Sequence, residues 1–423
     1  MAKQLATEMA PPFKLVAHYM IAGALFYTVA SFLLPFYSGE LHSFFLTSSI
    51  ASLMHLYLLG FIMMIIFGAM YQLVPVVLEI PIFSKDFAYV QFYLFVVGIV
   101  LFSTALGVEG YIKVLPYGAM LMYISMLIFI VNIFLTYKNI ELWSITAKYI
   151  LVSNIFLLIG VTIGFYMALN LIYGFSGNLV QLVTVHISAT IVGYILMTIM
   201  GIGMILLPMF SLSHGFSQKA IEVAFYLIIA GLVIYISSIF FDNPLVKYTG
   251  VALIALSVFL GLYQMWLIFK GRIRKQNDFW AKNMIASFVS LILSIIVLVF
   301  AILQNSQTLY ILFGFILFFG FFVFFIVGHI YKILPFLVWY QRYSPLVGKI
   351  KVPMLNEMVK ERVADTQFWV TTVGVLVCSV AIAFKMEILF IGGAIIMAAA
   401  TLLVIYNIYY TLIYGLDRLK EGV

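Results

Sequence analysis

The segment GFIMMIIFGAMYQLVP, residues 60–75, shares its glycine and proline spacing with GYILMTIMGIGMILLP (193–208) and GFFVFFIVGHIYKILP (320–335). Each copy reads G-x7-G-x6-P. With 29 Gly and 11 Pro among 423 residues, roughly 0.05 such matches are expected by chance in the whole chain. Three matches in register, 133 and 127 residues apart, therefore predict a threefold internal repeat.

The composition predicts an all-α polytopic membrane protein. Hydrophobic residues make up 65% of the chain and charged residues 9%, a balance that a single soluble core does not accommodate. A window of about 20 residues gives twelve apolar spans. We place them at 15–36, 43–76, 88–107, 112–136, 148–173, 180–209, 219–240, 246–269, 281–304, 308–338, 368–384 and 387–415.

The distribution of basic residues predicts the orientation. With a cytoplasmic N-terminus, 19 of the 22 Lys and Arg fall on the inner side, and only Lys113, Lys247 and Lys385 fall outside. The positive-inside rule favours this topology, which places both termini in the cytoplasm of a prokaryotic cell. The net charge of +7 is then explained by contact with the inner leaflet of the lipid bilayer, and no nucleic-acid partner is expected.

The repeat divides the twelve spans into three groups of four. We expect one membrane domain, residues 1–423, built from units at 1–142, 143–276 and 277–423. The glycines and proline then fall on the second helix of each unit. Small residues at this spacing favour close helix approach, and the proline is expected to end or kink the helix near the inner face.

These features resemble a known family. The segment from His55 through Gly60 and Gly68 to Pro75 is similar to the tenth helix of cbb-type oxidases, where an H-x-H pair precedes the same glycines and proline. Twelve helices in three equivalent groups of four resemble subunit I of the haem-copper oxidase superfamily, which includes the nitric oxide reductases. The resemblance implies a pseudo-threefold arrangement of four-helix units.

The chain also departs from that family. The tenth predicted helix carries Phe313 and Phe315 where the family has two haem-ligating histidines, and span 219–240 lacks the family's histidine pair. An intact binuclear centre that reduces oxygen or nitric oxide is therefore not expected, and neither is copper. Whether the protein is an enzyme stays open at this point.

His55 and His186 are the strongest candidate ligands. They precede Pro75 and Pro208 by 20 and 22 residues, which places both about 30 Å from the inner end of their helices. When the copies of the repeat are aligned on their glycines and prolines, His55 and His186 occupy the two histidine positions of the family's H-x-H. The resemblance implies that they are the axial ligands of one haem b iron. A hydrogen bond to a neighbouring helix explains a lone membrane histidine equally well.

His18 and His329 form a weaker pair of candidates nearer the inner face. His329 precedes Pro335 by six residues, and His18 lies near the start of the first span. We consider a second, inner site at these residues, for haem or quinone. The alternative is that they are interfacial histidines without a ligand.

The function that these observations favour is a haem-binding membrane protein that transfers electrons or binds a gas such as nitric oxide. A quinone or cytochrome would be its redox partner, and a second subunit could complete the site. The alternative is a membrane transporter, or an accessory subunit of a respiratory complex without haem. Coupled transporters usually place an ionisable carboxylate at mid-membrane, whereas the Asp and Glu residues here fall in loops or near helix ends.

Overall fold

The computed structural model describes residues 9, 11–138, 140–175, 177–241, 243–273, 275 and 277–414. Within these residues, twelve helices are long and apolar enough to cross a membrane, and no β-strand forms. The prediction of an all-α integral membrane protein is confirmed. The helices are α1 (Phe13–His42), α2 (Ser48–Leu78), α3 (Lys85–Gly107), α4 (Ile112–Tyr137), α5 (Ile145–Tyr173), α6 (Leu179–Ser211), α7 (Lys219–Ile239), α8 (Pro244–Lys270), α9 (Phe279–Gln304), α10 (Gln307–Arg342), α11 (Glu361–Ala383) and α12 (Glu387–Ile413).

Polar side chains begin many of these helices by accepting a hydrogen bond from a backbone N–H of the first turn. Ser144 caps α5 in this way, and Asp278 caps α9. The prolines of the repeat do not end their helices. Pro75, Pro208 and Pro335 lie inside α2, α6 and α10, which continue beyond them. The chain termini (1–8 and 415–423) and Arg274, which bear on the predicted orientation, lie outside the described residues.

The chain forms two compact units. One contains most of α3 and all of α4–α8, and the other contains α1, most of α2 and α9–α12. Their bounds are Met1–Pro11, Leu73–Phe102 and Gly110–Gln276 for the first unit, and Pro12–Gln72, Ser103–Glu109 and Asn277–Val423 for the second. The repeat boundaries at 1–142, 143–276 and 277–423 and the pseudo-threefold arrangement stay predictions.

Within the second unit, α9 is the most apolar span and the least enclosed. Only 22% of its most apolar window is buried inside the protein, the smallest share among the twelve spans. Two ion pairs hold its first turns. Lys282 Nζ lies 2.8 Å from Asp365 Oδ1 on α11. Asp278, the residue that caps α9, places Oδ2 2.8 Å from Lys332 Nζ on α10.

The second helix of each repeat contains a π-helical segment around its first glycine. The segments are Leu58–Met63, Ser188–Leu196 and Ile316–Phe322, around Gly60, Gly193 and Gly320. A π turn takes one more residue than an α turn. In a regular α-helix, residues eight apart differ by about 80° around the axis. The extra residue brings both glycines of each copy to the same helix face.

The two glycines of each copy pack against residues seven apart on the preceding helix. In the first copy, a Cβ on Gly68 would lie 2.7 Å from Tyr19 Cβ, and one on Gly60 would lie 2.8 Å from Phe26 Cβ. The second copy repeats this contact. A Cβ on Gly201 would lie 2.5 Å from Tyr149 Cβ, and one on Gly193 would lie 2.6 Å from Phe156 Cβ.

The third copy keeps the geometry but changes the facing residues. A Cβ on Gly328 would lie 2.9 Å from Asn283 Cβ, and one on Gly320 would lie 2.9 Å from Ser290 Cβ. Two polar residues on α9 thus replace the aromatic pair of α1 and α5. At these two contact positions the interface between α9 and α10 is therefore polar where the other two are aromatic.

Candidate functional site

Five histidines lie in membrane-spanning helices, and all except His42, the last residue of α1, place Nδ1 within hydrogen-bond distance of a backbone carbonyl oxygen. Because a carbonyl oxygen only accepts, Nδ1 carries the hydrogen. A neutral imidazole in this tautomer presents the Nε2 lone pair, the form that a haem iron requires of an axial histidine. The pairs are His18 with Lys14, His55 with Ala51, His186 with Gly160 and His329 with Phe325.

His186 is held differently from the other three. Its Nδ1 lies 2.8 Å from the Gly160 oxygen on α5, whereas the others use a carbonyl one turn earlier in their own helix. Gly164, one turn beyond Gly160, leaves room for the ring, because a Cβ there would lie 2.7 Å from His186 Cε1. The carbonyl oxygen of Gly160 and the open space at Gly164 together give the imidazole a defined position against α5.

The predicted ligand pair is divided between the two units. His55 lies on α2 in the unit that contains α9–α12, and His186 lies on α6 in the other unit. Both side chains are partly buried. The assignment of these two residues to one haem iron stays a prediction.

The weaker candidates, His18 and His329, belong to the same unit. His329 is only 3% exposed, and its ring lies 4.3 Å from the Phe325 ring and 6.5 Å from the Trp280 ring, measured between centroids. His18 is partly buried near the start of α1. The aromatic neighbours give His329 a defined ring position, but the inner site at His18 and His329 stays a prediction.

A cluster suited to a free metal ion is not present in the described part of the chain. No three side chains of His, Cys, Asp or Glu come together there at metal-binding distances. Haem differs from such a site because the porphyrin supplies four of the iron's ligands and the protein supplies only the axial ones. The histidine tautomers described above fit that smaller requirement.

Comparison with known proteins leaves the family open. No protein-family profile matches the chain, and no curated protein matches its sequence. The resemblance to haem-copper oxidases therefore rests on the helix pattern and on the residues around His55.

A second candidate site is a chain of buried polar residues in the unit that contains α1 and α9–α12. Tyr331 donates a 3.3 Å hydrogen bond to Gln367, and the Gln367 amide donates one of 2.8 Å to Thr371. The Tyr27 hydroxyl lies beside Thr371, and Asn407 lies beside Tyr331. We refer to Tyr27, Tyr57, Tyr331, Gln367, Thr371 and Asn407, all at most 3% exposed, as the polar chain.

One end of the polar chain is closed by aromatic rings. The Tyr27 and Tyr57 rings meet edge to face at 5.9 Å. Phe61 stacks on Tyr27 at 4.4 Å, and Phe319 packs against Tyr57 at 4.4 Å. The rings of Tyr27 and Tyr57 are therefore enclosed by other aromatic rings.

The other end reaches the face of this unit where α9 and α11 begin and where α10 and α12 end. We call it the basic face, because Lys282, Arg342, Lys349, Lys351, Lys360 and Arg362 lie at or near it. Asn407 Oδ1 accepts a 3.0 Å hydrogen bond from the Lys360 backbone N–H. Lys360, Glu357 and Tyr410 line a groove of about 630 Å³ beside this contact.

The charged residues and histidines of the sequence did not predict the polar chain. The available signal was two amides. Asn407 lies within the predicted span 387–415, Gln367 lies one residue before the span 368–384, and a side-chain amide buried in a membrane requires partners. The tyrosines gave no signal, since 27 of them are spread over the chain.

Proposed function

We propose that the chain is a haem-binding integral membrane protein of a prokaryotic cytoplasmic membrane, with both termini in the cytoplasm. The observation that carries the proposal is the placement of His186. The Gly160 carbonyl oxygen on the neighbouring helix sets the tautomer with an Nε2 lone pair, and Gly164 leaves the space that the ring occupies. Packing against Gly164 defines the ring position, which the hydrogen bond alone would not do.

His55 is the second axial ligand in this proposal, and haem b is the cofactor. Its Nδ1 is bound to the Ala51 oxygen at 2.7 Å, which sets the same tautomer as in His186. A haem with histidine on both axial positions supplies one-electron transfer, whereas one open position favours binding of a gas such as nitric oxide. A quinone or cytochrome would exchange the electron, and a second subunit would provide its docking site.

An absorption spectrum of the purified protein tests the proposal. Oxidised and dithionite-reduced samples should show a low-spin b-type haem, because two imidazoles give a strong ligand field. A colourless preparation from haem-replete cells would overturn the proposal and favour the transporter alternative.

Substitutions then test the ligands. His55→Ala or His186→Ala should create carbon monoxide binding or lose the haem. His214→Ala is the matched control, because His214 is exposed after the end of α6. An unchanged low-spin spectrum in both ligand variants would exclude this pair and transfer the assignment to His18 and His329.

A further inference from the structure

We propose that the groove at Lys360 binds one phosphatidylethanolamine molecule at the basic face. The zwitterionic headgroup lies among the charged side chains of the groove, and an acyl chain runs along α12. The proposal goes beyond haem binding and does not depend on it. It rests on a loop that is held in place by α12, on the balance of charges in the groove, and on the position of the groove at the ends of two membrane helices.

The residues before α11 are held against α12 by buried side chains. Asn407 Oδ1 accepts a 3.0 Å hydrogen bond from the Lys360 N–H, and Asn407 Nδ2 donates one of 3.5 Å to the Lys360 oxygen. One turn later, the Thr411 hydroxyl donates a 2.8 Å hydrogen bond to the Met358 oxygen. Asn407 is 0% exposed and Thr411 is 2% exposed. This wall of the groove therefore has a defined position.

A similar contact occurs in the other two copies of the repeat. Asn132 on α4 binds both backbone groups of Ser84, at 3.0 and 2.8 Å. Gln264 on α8 donates a 2.9 Å hydrogen bond to the Ser217 oxygen. Each contact joins the fourth helix of a unit to the backbone just before the third helix. The contact at Lys360 is thus a common element of the repeat.

The loop that leads to this contact is longer in the third copy than in the other two. Six residues (79–84) join α2 to α3 and seven (212–218) join α6 to α7, whereas eighteen (343–360) join α10 to α11. The last residues of the long loop, among them Glu357 and Lys360, line the groove of about 630 Å³ together with the start of α11 and the end of α12. The additional loop therefore adds a binding surface to a common contact.

The charged side chains that line the groove are balanced. Lys360 and Arg362 are basic, Glu357 and Glu361 are acidic, and all four residues are exposed. Binding partners usually match each other in charge. Two positive and two negative groups in one groove fit a ligand that carries both signs better than they fit a simple anion.

The groups divide between the two charges of such a headgroup. The Lys360 ammonium lies 4.7 Å from the centre of the Tyr410 ring, which holds it at the groove wall. Glu357 is used within the protein, because its Oε2 accepts a 3.2 Å hydrogen bond from the Tyr414 hydroxyl. Glu361 forms no ion pair within the described part of the chain. The basic residues therefore bind the phosphate, and Glu361 binds the ammonium.

The position of the groove favours a lipid over a soluble zwitterion. Helix α11 begins at Glu361 and α12 ends at Ile413, so the groove lies where both spans meet the aqueous phase. Tyr406, which lines the groove, lies seven residues before Ile413, about 10 Å along the helix. Tyr406 is 48% exposed and Leu402, one turn further, is 50% exposed. An acyl chain covers this face, which a soluble ligand would leave open. A primary ammonium also donates hydrogen bonds to Glu361, whereas a choline group does not.

Native mass spectrometry of the full-length protein tests the proposal. The protein is released from nanodiscs that contain equal amounts of phosphatidylethanolamine and phosphatidylglycerol with the same acyl chains. One phosphatidylethanolamine should stay bound per chain, with a several-fold preference over phosphatidylglycerol. Equal retention of the two lipids, or a preference for phosphatidylglycerol, would overturn the proposal.

Substitutions assign the preference to the groove. Glu361→Gln should abolish the preference for phosphatidylethanolamine, and Lys360→Gln with Arg362→Gln should reduce retention of both lipids several-fold. The contact with Asn407 uses the Lys360 backbone, so it survives this change. Lys349→Gln with Lys351→Gln is the matched control, because it removes the same charge from the same loop outside the groove lining. Equal losses in the two double variants would reduce the effect to general attraction and overturn the site.

Photocrosslinking identifies the occupant. The full-length protein with Tyr406→p-benzoylphenylalanine, irradiated in the same nanodiscs, should crosslink to phospholipid. A crosslink to residues 415–423 or to a second copy of the chain would show that protein fills the groove, and would overturn the proposal. Either result leaves the haem proposal intact, since the haem spectrum is measured separately.

Discussion

The contact between α5 and α6 and the contact between α9 and α10 bring two helix backbones together in the same way but place different chemistry between them. In the first contact the glycines face Tyr149 and Phe156, and in the second they face Asn283 and Ser290. The glycines set the distance between the helices, and the facing residues set the polarity. A repeat can therefore keep its backbone packing while the side chains that face the glycines change from aromatic to polar.

Replacing the second glycine of each copy by alanine should give the largest difference between the two contacts in the free energy of unfolding. In Gly201→Ala the new Cβ meets Tyr149 Cβ at 2.5 Å, and neither atom can rotate away. In Gly328→Ala the nearest atoms, at 2.9 Å, include the flexible Met284 Cε. Overpacking of this kind costs about 1–3 kcal/mol, and we expect Gly201→Ala at the upper end and Gly328→Ala at the lower end.

Unfolding of both variants from mixed micelles, followed by circular dichroism, gives the two free energies of unfolding. If Gly328→Ala lowers the free energy of unfolding as much as Gly201→Ala or more, the third copy is packed at least as tightly as the second.

The caps of α5 and α9 should give the second-largest difference in the free energy of unfolding. Ser144 and Asp278 lie five residues before Tyr149 and Asn283, and each accepts a hydrogen bond from a backbone N–H, that of Ala147 or Ala281. Loss of such a cap costs about 0.5–2 kcal/mol.

Asp278→Ala also removes the ion pair with Lys332, which is partly shielded from solvent, so we expect it to cost about 1 kcal/mol more than Ser144→Ala. The free energy of unfolding of each variant checks this order. Raising the ionic strength should reduce the difference, and a difference independent of salt would argue against the ion pair.

The smallest effect is expected at Ser153 and Ser287, which lie four residues after Tyr149 and Asn283. The Ser153 hydroxyl donates to the Ile150 oxygen and accepts a 3.1 Å hydrogen bond from Thr198, whereas Ser287 has no partner. Ser153→Ala should cost about 1 kcal/mol because it leaves the Thr198 hydroxyl unpaired. Ser287→Ala should leave the free energy of unfolding nearly unchanged.

The same unfolding measurement distinguishes these two outcomes. A clear loss of unfolding free energy in Ser287→Ala would show that this hydroxyl stabilises the fold, contrary to the prediction.

The twelve spans could be predicted because hydropathy identifies them, and the glycine spacing can be read directly from the sequence. The π-helical segments could not, since their residues, such as Leu58–Met63, have no distinctive composition. This omission matters for the histidines. His55 and His186 both precede the π segments, so a facing direction extrapolated from Pro75 and Pro208 along a regular helix would be offset by about one residue, or about 100°.

The hydrogen-bond and packing partners of the candidate site residues could not be predicted from the sequence either. The space for the His186 ring at Gly164 depends on how α5 and α6 pack, and the hydrogen bond from Tyr331 to Gln367 joins residues on two helices. Residue type identified the histidines as candidates. Tertiary packing determines that His186 uses a carbonyl of the neighbouring helix, whereas the other three use one of their own helix.

The exposure of α9 bears on how the protein is made. A span that combines the most apolar sequence with the fewest buried positions needs few partners to remain in lipid. During synthesis α9 can therefore move from the translocon into the lipid by itself, before α10 and α11 are inserted. The ion pairs of Asp278 and Lys282 require α10 and α11, so they can form only after those later helices have been inserted.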